Sequence, residues 1–298
     1  MLTAEQKEAR KSRIGASDMA AIMGLSPWRS PWDVWADKTG KLDGQANEND
    51  SMHAGNRFEA GVLDEAEARL GPLRRNIVVP GPGPLASTLD GQLIADDVPV
   101  EAKFIGAFGQ VSADWGEEGT DEIPDIYLIQ THVQMICTGK PIAHLVAFLC
   151  GQGFKHYPVE RNSDLAAAIV ETAADWWQRH VVADVPPTDS KPSEEIVKRI
   201  RREPGSVVTI DMGAVEEWQA AREERLAAEK REKEAKRAVE AALGTAEAGQ
   251  LEDGRMVTYL EQSRAGFDAK RLQQEQPDIY AKYQSTSRFR VMRLKKSK

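Results

Sequence analysis

The feature that most constrains the fold is Val98-Pro99-Val100-Glu101-Ala102-Lys103-Phe104, where apolar and polar side chains alternate. A period of two places Val98, Val100, Ala102 and Phe104 on one face of a strand, and Glu101 with Lys103 on the other. The preceding run, Leu85-Ala86-Ser87-Thr88-Leu89, is also strand-like and ends at Asp90, with a turn expected at Gly91. Together they predict a short hairpin presenting two carboxylates and one amine. Oxygen ligands of this kind suit Mg²⁺, which keeps several waters. A lysine beside them is placed to hold or deprotonate a metal-bound water, the outline of a metal-dependent phosphodiesterase. A Glu-x-Lys strand is also a common solvated ion pair of little energetic weight, so the hairpin gains meaning only from what accompanies it.

The 298 residues suffice for one large domain or two modest ones, and 41% hydrophobic with 29% charged residues is the balance of a globular protein. A net charge of −8 argues against indiscriminate coating of nucleic acid, although local patches, not totals, bind phosphate. Ser285 to Lys298 holds Arg288, Arg290, Arg293, Lys295, Lys296 and Lys298 and no acid, which serves either solubility or nucleic-acid contact. Cys137 and Cys150 are the only cysteines, which excludes a disulfide framework and a Cys-based zinc site. No apolar run approaches the roughly 18 residues that span a bilayer, and the first residues lack the apolar core of a signal peptide. The expectation is a cytoplasmic protein without membrane contact.

Along the chain, Ser17 is the expected N-cap of a short helix ending at Gly24, and Ser30-Pro31 opens a second one closed by Gly40. Gly55 to Leu70 reads as an amphipathic helix with Phe58, Val62, Leu63, Ala66 and Leu70 inward. Glu59 borders that apolar face, and an acid there needs a metal or a basic partner. Strands follow at 76–79, up to Asp90 and around Glu101, then an acidic loop over 105–124 around Trp115. A helix is expected over Asp125 to Thr138, strands over 143–149 and 155–159, and a helix over about 164–181. Tyr127, Gln130 and Gln134 share one face of the first of these helices. Beyond Pro186-Pro187, Gly213 to Leu243 reads as a long charged helix without a clean heptad, an exposed or loosely paired arm. A small strand–helix–strand unit (255–260, 268–283, 287–294) ends the chain.

Several of these pieces occur in a telling order. Arg10-x₆-Ser17-Asp18 with Ala20-Ala21-Ile22-Met23-Gly24-Leu25-Ser26-Pro27 is followed by Gly55-x₃-Glu59. Then come Ser87-x-x-Asp90-Gly91, Glu101-x-Lys103, and Tyr127-x-x-Gln130 ending in Thr138-Gly139. In this set the chain resembles the YqaJ-type viral recombinases, relatives of phage lambda exonuclease within the PD-(D/E)XK nuclease superfamily. The resemblance spans residues 10 to about 160. It implies an α/β fold with a restriction-endonuclease-like core, a central mixed sheet flanked by helices. It implies Mg²⁺, with Mn²⁺ as a substitute, on Asp90, Glu101 and the carbonyl of Ala102, assisted by Glu59. Lys103 would orient or activate the attacking water, and Gln130 would stand close by. Arg10 and Ser17 would grip a 5′-terminal phosphate, with Arg13 a further candidate; the alternative is that Ser17 only caps its helix.

The implied activity is 5′→3′ hydrolysis of one strand from a duplex DNA end, leaving a 3′ single strand in the bacterial host cell. A phage single-strand annealing protein is the implied partner, and a homo-oligomer is open. An endonuclease of the same fold and a catalytically silent DNA-end-binding module stand as alternatives. The expected organisation is a nuclease core over 1–185, a linker over 186–212, and a charged helix with a basic extension over 213–298. Trp28, in the turn Pro27-Trp28-Arg29, either stacks on terminal bases or packs inside.

Overall fold

The alternation of residues 98–104 resolves into the middle of a five-stranded sheet. The structure is a computed structural model that describes residues 10–43, 49–107, 114–285 and 291–294. The strands are β1 (Leu73–Pro80), β2 (Ala86–Leu93), β3 (Pro99–Ile105), β4 (Ile142–Leu149) and β5 (Gly153–Glu160), in the spatial order β1-β2-β3-β4-β5. Only β3 and β4 run parallel; the other neighbours are antiparallel. The chain is therefore α/β with a central mixed sheet, as expected. Parallel neighbours need a crossover, and α4 (Asp125–Thr138) lies within it, ending at Gly139 with φ 71°, a left-handed cap that glycine adopts freely.

The two faces of β3 go to different layers. Val98, Val100 and Ala102 pack with Val146 against Val62, Leu63 and Ala66 of α3 (Asp50–Leu70). On the opposite side a larger core joins Ile105, Leu145 and Ala147 to α4, to α1 (Ala16–Ile22), α2 (Pro31–Lys38) and α5 (Ser163–Trp176). Glu101 and Lys103 point into that second layer. Of the apolar stripe expected on α3, Phe58 is 53% exposed, with its ring stacked on Phe104 at 4.6 Å.

Three local expectations change. Gly91 is not in a turn but inside β2, where a Cβ would meet Leu73 Cδ1 at 3.2 Å and Leu63 Cδ2 at 3.3 Å. It is glycine because α3 and β1 leave no room. The N-cap of α1 is Gly15, not Ser17. Asp18 reaches back to accept the Gly15 N–H at 3.0 Å, which puts Ser17 in the first turn with its side chain exposed. The segment after Pro186-Pro187 does not behave as a linker up to residue 200. The Ser190 hydroxyl accepts the Trp32 N–H (3.1 Å), and Asp33, fully buried, accepts the Ser193 N–H (2.8 Å). Ile196 of α6 (Glu194–Arg199) is buried in the core, so the first unit extends to Gly205. A buried carboxylate must find donors, and Asp33 recruits one from this segment.

The second unit, from Ser206 on, contains α7 (Met212–Leu243), the strand pair β6 (Ala248–Gln250) and β7 (Met256–Thr258), α8 (Ala269–Glu275) and α9 (Pro277–Tyr283). Asp211 caps α7 by accepting the Ala214 N–H at 3.0 Å. No described residue of this unit is buried, as an exposed charged arm requires. The strand expected over 287–294 falls partly outside the described residues, and Val291 to Leu294 are not in a strand. Most of the basic tail is likewise outside them. No helix among the described residues is long and apolar enough to cross a membrane.

Candidate metal centre

Asp90 occupies a break in the sheet. Between β2 and β3 the pairing stops at Gly91↔Val100 and Gln92↔Pro99, so β2 leaves β3 just where Asp90 begins. On the other side the β1–β2 register runs without a shift from Arg75↔Gly91 to Ile77↔Leu89, but Asn76, opposite Asp90, is left out of the pairing and has a left-handed φ of 57°. The Ala102 N–H, beyond the end of the β2–β3 ladder, is taken by the Asp90 carboxylate at 3.0 Å. A side chain thus replaces a ladder bond, and the replacement fixes Asp90 beside Glu101.

Glu101 is fully buried. Its Oε1 accepts from Lys103 Nζ and from Gln130 Nε2, and its Oε2 accepts from Gln134 Nε2. A carboxylate oxygen has two lone pairs, so the remaining acceptor site lies on Oε2. The Lys103 ammonium sits 5.2 Å from the centre of the Tyr127 ring, which also borders Trp115. Burial works against a charge on Lys103, but Glu101 and Asp90 outweigh it and raise its pKa above the ordinary lysine value. Asp90 is pushed up to about 8, first by burial and then by Glu101; Lys103 and the Ala102 N–H oppose this, and Glu59 adds to it. Two carboxylates beside one amine leave negative charge under-compensated, and that donor set fits a hard divalent cation. Among the described residues no three His, Cys, Asp or Glu side chains cluster into a cage. A cation here would rest on Asp90, Glu101, the Ala102 carbonyl and water.

The other expected site residues are placed less closely. Glu59 is half-buried on α3 and acts on Asp90 through its charge. The side chains of Arg10, Arg13 and Ser17 are exposed on the segment leading into α1. That segment is tied down by Ile14, whose N–H donates to the Pro84 carbonyl at 2.7 Å, and by the Arg10 carbonyl, which accepts from Lys38 Nζ at 2.8 Å. Lys38 and Arg29 converge on buried Asp18, at 2.6 Å each. Sequence reasoning singled out neither Lys38 nor Arg29, because nothing local marks a lysine as buried. The acidic loop is partly neutralised, since Glu118 pairs with Arg69 at 2.8 Å and Lys155 at 3.7 Å.

Gln134 is the residue of this cluster that sequence reasoning left out of the site, although its i, i+4 spacing from Gln130 put both on one helix face. It is wholly buried, and its Oε1 has no hydrogen-bond partner among the described residues. Its N–H is the sole protein donor to Glu101 Oε2 among the described residues. Gln134→Leu is expected to cost about 1.5–3 kcal/mol, the worth of a hydrogen bond to a charged group. Urea denaturation of the two proteins measures it; an unchanged midpoint would show that Glu101 does not depend on this bond.

Residues 5–141 match the family model described as the YqaJ-like viral recombinase domain, and the matched segment carries Asp90, Glu101, Lys103 and Gln130. The chain is 24% identical over 299 residues to the YqaJ protein of Bacillus subtilis (strain 168), an alignment covering 96% of this chain and 92% of that protein. Among solved structures it is similar to an alkaline exonuclease from Laribacter hongkongensis, at 18% identity and TM-score 0.49, over 61% of this chain and 94% of that one. A phage-related exonuclease from Haemophilus somnus 129PT is similar at 12% identity and TM-score 0.42, over 58% and 96% of the two chains.

Proposed function

We propose that this chain is a Mg²⁺-dependent nuclease that degrades linear duplex DNA 5′→3′ from a phosphorylated end, leaving a 3′ single strand. The observation that carries the proposal is the buried Glu101 held by Lys103, Gln130 and Gln134, with Asp90 locked beside it through the Ala102 N–H. The match to a viral recombinase domain supports it. When bound, Mg²⁺ or Mn²⁺ would supply Lewis-acid activation of water and stabilise the leaving oxygen. Asp90, Glu101 and the Ala102 carbonyl would hold it, with Glu59 assisting through charge.

Lys103 stays protonated at neutral pH because its carboxylate neighbours raise its pKa. Its work is therefore to donate hydrogen bonds to the attacking water and to neutralise charge developing on the phosphate. Gln130 and Gln134 hold the Glu101 carboxylate in one orientation. Arg10, Arg13 and Ser17 grip the terminal 5′-phosphate and so set where cutting starts. A single-strand annealing protein and self-association fit the same reading, and the host-cell cytoplasm is its setting.

End dependence tests the proposal. Duplex carrying a 5′-phosphate is expected to release nucleotides with Mg²⁺, a 5′-hydroxyl end is expected to react about tenfold or more slowly, and closed circular duplex is expected to survive intact. Cleavage of the circle would establish an endonuclease instead, and binding without cleavage, indifferent to a chelator, a silent end-binding module.

A further inference from the structure

Trp28 is half exposed, at 50%, although aromatic side chains of this size usually bury most of their surface. Its position is not loose. The Ser26 hydroxyl accepts the N–H groups of Trp28 (3.3 Å) and Arg29 (3.2 Å), and Pro27 precedes it, so the backbone of the turn that carries the exposed indole is fixed. Trp28 lines a cavity of about 260 Å³ that Lys191 and Ser193 also line. Those two residues come from the segment after Pro187, which packs on α2 instead of running free.

The cavity stands next to the elements assigned to the 5′-phosphate. Arg29, which lines it, is bonded to Asp18, the neighbour of Ser17. Pro27 lines it and also lines a second cavity of about 520 Å³, which reaches Ile126 at the start of α4. Tyr127, the next residue, is the ring beside Lys103. An exposed indole, a lysine and serine hydroxyls lining one cavity suit a flat aromatic group that carries a phosphate. A nucleotide has that chemistry, and base–indole stacking tolerates any sequence.

We propose that Trp28 stacks on the unpaired 5′-terminal base of the strand being degraded, with Lys191 facing an adjacent phosphate. The assignment rests on the proposed end-dependent nuclease, and it adds a base contact to the phosphate grip. Stacking would hold the terminal nucleotide off its complement, so Trp28 favours frayed ends over blunt ones.

Binding of the full chain to duplexes with one frayed, 5′-phosphorylated terminal nucleotide tests this by fluorescence anisotropy in Ca²⁺, where affinity is read apart from turnover. The terminal residue is either thymidine or an abasic analogue. Wild type is expected to prefer thymidine by on the order of tenfold, within the usual range for one stacked base. Trp28→Ala is expected to bind both ends equally at the abasic level, and Trp28→Phe to keep most of the preference. Circular dichroism confirms that each variant is folded. A thymidine preference equal in wild type and Trp28→Ala overturns the stacking alone, as does the absence of any preference in wild type. Failure of wild type to bind any duplex end overturns the nuclease reading as well.

Discussion

Replacing Asp90 with asparagine is expected to lower Mg²⁺-dependent hydrolysis of duplex ends by on the order of 10³-fold, about 4 kcal/mol of transition-state stabilisation, while making the metal-free protein more stable. The two effects have one cause. Asp90 lies against Glu101 with Glu59 adding to the field, and its carboxyl is pushed up to about 8. An acid whose pKa is higher folded than unfolded holds its proton more tightly in the native state. Its favourable contribution is complete below the unfolded value of about 3.9 and is lost as pH rises toward about 8. The metal-free wild type should thus lose stability across that window, and Asp90→Asn should lose less.

Metal affinity should run the other way, rising with pH up to about 8 because the cation must displace that proton. Paired urea denaturation curves between pH 5 and 9, with Mg²⁺ titrations by calorimetry, measure both. A destabilised Asp90→Asn protein would contradict the picture of under-compensated carboxylates. Glu101→Gln is expected to abolish cleavage equally. It differs in stability, since one of the two oxygens that accept from Gln130 and Gln134 becomes an N–H group and meets its partner donor to donor.

The largest loss of stability is expected from Asp18→Ala, at about 3–5 kcal/mol, the cost of stranding one member of a buried ion pair. Lys38 is the stranded partner, since its side chain is 2% exposed and Asp18 is its only carboxylate partner among the described residues. Arg29, a third exposed, can turn to water and adds little. Asp18→Leu combined with Lys38→Met should recover much of the loss, because packed apolar groups replace a buried pair at little cost. Burial opposes the charge on Asp18, but Lys38 and Arg29 outweigh it and hold the carboxyl well below the usual range. The sign is therefore opposite to that of Asp90. The pair's contribution is present above pH 4 or so and is lost as pH falls toward the depressed native pKa. Thermal melts from pH 7 to 3 should show wild type losing stability faster than the double variant. Because Lys38 also donates to the Arg10 carbonyl, the single variant should loosen the segment bearing the proposed phosphate grip.

Side-chain periodicity made part of this molecule legible from the start. The two faces of β3 were readable because a strand has period two, and Asp125 to Thr138 because a proline opens it and a left-handed glycine closes it. Asp90, Glu101, Lys103 and Gln130 were visible as an ordered set. Gln134 was visible only as a residue on the right helix face, since its bond to Glu101 joins residues 33 positions apart. The linker expected after Pro186-Pro187 dissolved up to residue 200 because buried Asp33 and Ile196 bind that segment across more than 150 positions of chain.

What the sequence by itself determined is the inventory: which side chains face which layer, and which acids and amines the sheet presents. Local sterics and the periods of helix and strand are enough for that. Only the tertiary structure decided the electrostatic state of the inventory. The separation of β2 from β3 beyond Gly91 gives Asp90 the Ala102 N–H, and the approach of α4 supplies donors to Glu101. The closure of α1 and α2 around Asp18 buries Lys38. Burial and proximity set the energy of a charge, and neither is written in the order of residues.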